Sequence, residues 1–383
     1  MKIKNETKKS IGIITFFRPI NYGAVLQALS SEIVLKKMGY NPELIDYRFK
    51  RIEKYRHLFQ VKEYLGFIKK PLTFIKRVGG DLFFFPQRFK QKSNFNRFIN
   101  DKLNITNSVF NNIDELRTME KEYYALIVGS DLVWSPEMTD GLDPVCFLDF
   151  LPNNTHTIKI AYAPSIGEPQ ILMEYKNLYS KYLNNFDRLS VREDATRQVL
   201  SRLTDKEICH VLDPSLLTTI SDWEEYEKTI EEYSHGEYIL SFMLEYSPLL
   251  IDSVCKLHDM TGYRIVSFDL KKYYGKRPAK SMIHVGPDQF LSLIKNASYV
   301  VTNSFHGCAF SLIYQKNFWC IPHTKRGIRM TELMDSIGLS NRIVKDGSDM
   351  DCESIIDYTY VDKKLEVLRK NSMDYLFGAL NDE

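Results

Sequence analysis

The stretch YVVTNSFHGCAFSLIYQKN is the part of the chain richest in groups that can act on an anionic substrate. Its apolar Tyr299–Val301 reads as a buried strand and Cys308–Tyr314 as the start of a helix, which places Asn303, Ser304, Phe305, His306 and Gly307 in the turn between them. Amide N–H groups at a helix start have no partner within the helix and attract anions. An imidazole there can give a hydrogen bond or a proton, because its unperturbed pKa of about 6.5 lets both states coexist near neutrality. The plainer alternative is a capping turn, with Ser304 as N-cap and His306 incidental. Downstream, HTKRGIR gathers His323, Lys325, Arg326 and Arg329 after the strand-like FWCIP. Such a run is usually a solvated surface cluster, but in a parallel sheet successive strands exit on one rim, which would bring Lys325 and Arg326 toward His306.

Three further loops carry polar groups at strand exits. In SVRE, Arg192 and Glu193 follow Leu189–Val191 and precede a helical pattern. A guanidinium at a helix start opposes the helix dipole and so calls for an anionic neighbour, either a ligand or the local Glu193 or Asp194. Asp131 and the Asp213-Pro214 pair also sit at strand exits, where Asp is equally a common turn opener. In Asn21-Tyr22-Gly23, a glycine just before a helix lets a ligand approach the backbone closely.

The elements that must position these residues alternate strand and helix. SIGIITFF (Ser10 to Phe17), AVLQALSSEIVLKKMG (Ala24 to Gly39) and NPELIDY form a strand–helix–strand unit, and EYILSFML, PLLIDSVCKLHDMTG and YRIVSFDL repeat its layout. ALIVGSDLVW, IKIAYAPSIG, RLSVREDATRQVL and ICHVLDPSLL add strands with polar exits between them. The pattern predicts an α/β protein of two Rossmann-like domains facing across a cleft. The expected division is 1–220 for the first domain, with a basic insertion at about 48–105, and 221–355 for the second. Residues 356–383 are expected to form a terminal helix that docks back on the first domain.

Composition narrows the class. With 383 residues, 44% apolar and 26% charged, the chain has the proportions of a folded protein, and its net charge of +2 argues against a nucleic-acid partner. Six cysteines without a C-x-x-C pair, and the absence of G-x-G-x-x-G, G-x-x-x-x-G-K-[ST] and H-E-x-x-H, leave no sequence support for a redox cofactor, ATP or a metal. No long apolar run suggests a spanning helix, and MKIKNETKKS lacks the apolar centre of a secretory signal, so a cytoplasmic location is expected. Charge is nonetheless segregated: residues 48–102 hold 15 Lys+Arg against four acids. Interleaved phenylalanines there suit either an anionic membrane surface, met through Lys69, Lys70, Lys76 and Arg77, or rings packed on the protein's own domain.

The blocks IGIITFFRPINYGAVLQALSSEIVLKKMGYNPELIDYR, VGSDLVW, AYAPSIG, LSVREDATRQVL, VLDPSLL, VTNSFHGCAFSLIYQKNF and RMTELMDSIGLSNRIV occur in that order, and together they resemble the polysaccharide pyruvyl transferases. The resemblance spans about Ile11 to Val344; residues from about Phe49 to Met119 carry no matching motif. It implies a GT-B-type pair of Rossmann-like domains and transfer of the enolpyruvyl carbons of phosphoenolpyruvate to two sugar hydroxyls, giving a cyclic ketal. No cofactor is implied beyond that co-substrate. By the same resemblance His306 is the first choice for general acid, with Glu193 and Asp131 as alternative proton handlers. Arg192, Asn303, Ser304, His306, Gly307 and either Lys325 or Arg326 would hold the donor, and Asn21, Tyr22 and Gly23 would line the acceptor side. The acceptor would be a surface-glycan precursor, including one carried on a polyprenyl diphosphate, which would draw the enzyme to the inner face of the plasma membrane. A nucleotide-sugar glycosyltransferase and a non-catalytic, membrane-associated glycan binder are the competing readings.

Overall fold

The computed structural model describes residues 8–55, 71–152, 155–269, 271–347, 350 and 353–381, and the side chains of 54–55, 71–84, 171–173 and 271–272 are not part of the description. The apolar run SIGII is β1 (Ser10–Ile14), buried at four of its five positions. A helix follows at Tyr22–Lys37, capped by the Asn21 side chain, which accepts from the Ala24 amide at 3.2 Å. Every residue from Tyr22 to Leu35 is buried, as expected of a helix enclosed on all faces rather than lying on a surface. Gly39, at a φ of +92°, turns the chain into β2 (Asn41–Tyr47).

The first sheet is completed by β3 (Ile105–Phe110), β4 (Ala125–Val128), β5 (Ile158–Ala161), β6 (Arg188–Val191) and β7 (Ile208–His210). Its order is β3-β2-β1-β4-β5-β6-β7. The second contains β8 (Tyr238–Phe242), β9 (Arg264–Ser267), β10 (Ala279–Ser281), β11 (Tyr299–Thr302) and β12 (Asn317–Cys320), in the order β10-β9-β8-β11-β12. All strands within each sheet pair in parallel. The protein is therefore bilobed α/β. In each sheet the strand order reverses at one point, between β1 and β4 and between β8 and β11, and such reversals open crevices at the carboxyl ends of the strands.

The lobes are held together by more than their linker. Tyr22 stacks on Phe290 at 4.3 Å and packs beside Phe95, Phe242 and Phe268, and its hydroxyl donates to the Val285 carbonyl at 3.1 Å. The helix Pro71–Lys102 reaches the second lobe through Asn94 to the His284 carbonyl at 2.8 Å and Arg97 to Asp288 at 2.6 Å. Within the basic aromatic segment, Phe49, Phe95 and Phe98 are buried, whereas Phe89 is 58% exposed. The last helix, Tyr358–Asn381, starts on the second lobe, where Tyr358 donates to the Lys316 carbonyl. It then crosses to the first lobe: Arg369 donates to the Leu216 carbonyl, Ser372 accepts from the Leu212 amide, and Tyr375 donates to the Ala161 carbonyl.

Local boundaries differ from the sequence pattern in an informative way. The helix expected from Cys308 begins at Phe305, because the Ser304 hydroxyl caps it by accepting from the Gly307 amide at 3.2 Å. Phe305, His306 and Gly307 thus form the first helical turn rather than a preceding loop. Strand β1 likewise stops at Ile14, and Thr15 to Phe17 continue as buried loop.

Candidate functional site

The carboxyl ends of β6 and β7 in the first lobe and of β11 in the second converge on one carboxylate, that of fully buried Asp213. Oδ2 of Asp213 accepts from Arg192 Nη1 at 2.7 Å and Ser130 Oγ at 2.8 Å, and lies 3.6 Å from His306 Nε2. Oδ1 accepts from the Ser215 amide and hydroxyl at 3.0 and 2.6 Å. Burial alone would raise this carboxyl, but the His306 imidazole and the Arg192 guanidinium outweigh it and hold the group well below the usual carboxylate range.

Arg192 is itself buried, with Nε 3.1 Å from Glu193 Oε1 and the guanidinium 4.6 Å from the Phe305 ring centroid. Burial works against its charge, yet Glu193 and Asp213 together push it above its ordinary value. Arg329, on the helix Ile328–Ser336, faces the same ring at 5.9 Å and stands 3.9 Å from Asp131 Oδ1. Desolvation, helped by Arg192, pulls Arg329 down to about 10. Two desolvated guanidiniums that repel each other form a place where an anion is favourable. Arg192, Asp213, Phe305, Arg329 and Glu332 line a small recess of about 20 Å³. Two polar atoms, Arg192 Nη2 and His306 Nε2, are buried here without a hydrogen-bond partner. Buried donors are rarely left so, and ligand sites are where they are found.

His306 is positioned by the close approach of Gly23. A Cβ placed on Gly23 would lie 2.1 Å from His306 Nδ1, so the first turn of the first-lobe helix packs directly on the imidazole. Gly307 instead seats its own helix on the second sheet, since a Cβ there would meet Thr302 Oγ1 at 2.4 Å and Phe242 at 3.0 Å. Asn303 and Ser304 shape the approach. Asn303 accepts from the Leu244 amide and donates to the Glu245 carbonyl, and Ser304 caps the helix.

Other residues singled out from the sequence fall elsewhere. Lys325, 64% exposed, and Arg326 both pair with Glu137 of the first lobe, at 3.8 and 3.0 Å, and so bridge the cleft rim rather than reach Asp213. Lys325 and Arg326 lie in the turn before the helix that begins at Ile328, whereas Arg329 lies in its first turn and stands beside Asp131. Tyr22 is taken up by the aromatic core between the lobes, and half-buried Asn21 uses its side-chain oxygen in its capping bond. Glu193 is buried, with its oxygens engaged by Arg192 and Thr196. Lys69 and Lys70 lie outside the described residues, as do the side chains of Lys76 and Arg77. Among the described residues no group of His, Cys, Asp or Glu could hold a metal ion, and no helix is long and apolar enough to cross a membrane.

Sequence reasoning left three participants out of the site: Asp213, Arg329 and Glu332. Glu332 accepts from the Asp194 and Ala195 amides at 2.8 and 3.0 Å, so a second-lobe carboxylate caps a first-lobe helix. The Asp-Pro strand exit was the visible signal for the first, and Arg329 belonged to the basic run; nothing local marks Glu332.

A family model described as polysaccharide pyruvyl transferase matches residues 21–325. No curated protein matches in sequence. Among solved structures, the UDP-GlcNAc 2-epimerase of Methanocaldococcus jannaschii is similar at a TM-score of 0.52 and 12% identity, over 94% of this chain and 92% of that one. A putative UDP-N-acetylglucosamine 2-epimerase of Listeria monocytogenes aligns at a TM-score of 0.46 and 11% identity, over 97% and 90% of the two chains. The first of these likenesses places the chain with bilobed parallel α/β proteins by fold alone.

Proposed function

The chain belongs to the polysaccharide pyruvyl transferase family, and from that premise we propose that the Asp213-centred recess is where phosphoenolpyruvate is bound and activated. The protein is a transferase that takes phosphoenolpyruvate as co-substrate for a polysaccharide acceptor. In the reading we favour, Arg192 and Arg329 hold the phosphate and carboxylate of the donor. His306 Nε2 delivers a proton to the donor methylene, which makes C2 electrophilic. One sugar hydroxyl adds to C2, phosphate departs, and a second hydroxyl of the same sugar closes the cyclic ketal. Each hydroxyl loses a proton: one replaces the proton given by His306, and the other leaves on the phosphate.

The observation that carries this reading is that Arg192 and His306, from different lobes, meet at the buried Asp213 carboxylate while Arg192 Nη2 and His306 Nε2 are left without a hydrogen-bond partner. Incubation of candidate glycans with phosphoenolpyruvate should add the mass of one pyruvic acid less one water and release phosphate. Transfer of a sugar from a nucleotide donor with no phosphate release would reject it.

The basic insertion is read as the membrane-facing part of the enzyme, used when the acceptor is lipid-linked. Exposed Phe89 and the charge surplus of residues 48–102 support contact with anionic lipid. Changing Lys69, Lys70, Lys76 and Arg77 together to Gln should weaken flotation with phosphatidylserine-containing vesicles; equal flotation of variant and parent excludes this role.

A further inference from the structure

The carboxyl edge of the second sheet carries another polar cluster, separate from the donor recess. Ser281, Ser267 and Ser241 stand side by side in register on β10, β9 and β8. The Ser281 hydroxyl and one carboxylate oxygen of Asp269, just past β9, are buried with no hydrogen-bond partner. Ser267 Oγ is taken by the Asp269 backbone, and Tyr274 donates to Ser241 at 2.9 Å. Leaving a buried donor or acceptor unsatisfied costs about 1–3 kcal/mol, and more for a charge, which a ligand supplying the missing partners would recover. Burial alone pushes the Asp269 carboxyl up to about 7.

The loops that follow β8 and β9 also bring two tyrosine rings together, one of them open to solvent. Tyr246 is 64% exposed, and its ring lies 5.6 Å from that of Tyr273 at an angle of 53°. The loop bearing Tyr246 is tied to the donor site, since Asn303 accepts from the Leu244 amide at 2.7 Å and donates to the Glu245 carbonyl at 2.6 Å. Asn303 is followed directly by the capped turn that carries His306.

We propose that Asp269, Ser281 and the Tyr246–Tyr273 pair form the acceptor-sugar subsite, on the second lobe rather than at the Asn21–Gly23 turn. The chemistry suits a pyranose. Its C–H face lies against the electron-rich face of a tyrosine ring, and its hydroxyls donate to the free carboxylate oxygen and meet the free serine hydroxyl. The subsite rests on the pyruvyl-transfer reading for its role but not for its existence.

The test uses the full chain, with methyl β-galactoside, N-acetylmannosamine and UDP as probes. Saturation-transfer NMR without phosphoenolpyruvate should detect at least one sugar on the parent protein. Asp269→Asn and Tyr246→Ala should weaken that signal and raise the acceptor KM at least tenfold, with kcat and the thermal shift by phosphoenolpyruvate kept within twofold. Ser281→Ala removes a hydroxyl that makes no bond in the fold, so it should leave melting unchanged and still raise the acceptor KM. An unchanged acceptor KM in all three variants overturns the subsite, as does binding of UDP with neither sugar. Sugar binding that the variants lose, without any turnover of phosphoenolpyruvate, would keep the subsite and reject the reaction assigned to the donor recess.

Discussion

His306→Gln is expected to lower turnover by roughly 10²- to 10⁴-fold, the range contributed by one well-placed proton donor, while barely changing the melting temperature. Glutamine can still hydrogen-bond a phosphate, but it cannot deliver a proton to the donor methylene. The fold should tolerate the change, because His306 Nε2 makes no hydrogen bond in the structure and its nearest partner is Asp213 at 3.6 Å. The loss should fall on kcat, with phosphoenolpyruvate still raising the apparent stability of the variant by binding the native state. Near-parental kcat would reduce His306 to a ligand contact. The proton would then have to come from Asp131, since Glu193 is buried against Arg192 and Thr196.

Gly23→Ala should cost about 10²-fold in kcat, the scale of a displacement of about 1 Å at a reacting group. The added methyl would stand 2.1 Å from His306 Nδ1, a distance that no real Cβ contact shows, so the imidazole must shift. Helix propensity itself favours alanine over glycine by about 1 kcal/mol, which partly offsets the clash and keeps the fold intact. Gly307→Ala serves as the contrast, because its methyl strikes Thr302 and Phe242 within the second lobe and should lower the melting temperature first. Measuring kcat and melting for both variants separates the two effects. If Gly23→Ala retained full kcat, the imidazole would not need the placement that the first-lobe helix gives it.

Much of the fold was legible because its punctuation is local. Asn21 and Gly39 bracket the first helix, and Gly262, at a φ of +73°, ends the corresponding helix of the second lobe. These signals, with the apolar strands between them, are enough to specify two parallel α/β sheets. The site was legible only where one short motif carries the chemistry: Arg192 and His306 each sit at a strand exit, and their exits meet. The role of Asp213 depends on a contact with Ser130, Arg192 and His306 that no spacing encodes. The start of a helix at Ile328 separates inward Arg329 from rim-facing Arg326 in the preceding turn, although the run HTKRGIR presents them alike. The resemblance sets Tyr22 on the acceptor side, yet Val285 and Phe290, far along the chain, enclose it.

The way the lobes are fastened restricts how the enzyme can breathe. A clamshell swing would have to unstack Tyr22 from Phe290, part Arg97 from Asp288 and lift Glu332 off two backbone amides in a single event. The margin at Glu137, Lys325 and Arg326 is held only by surface ion pairs that are individually weak, so it can part at far lower cost than the halves themselves.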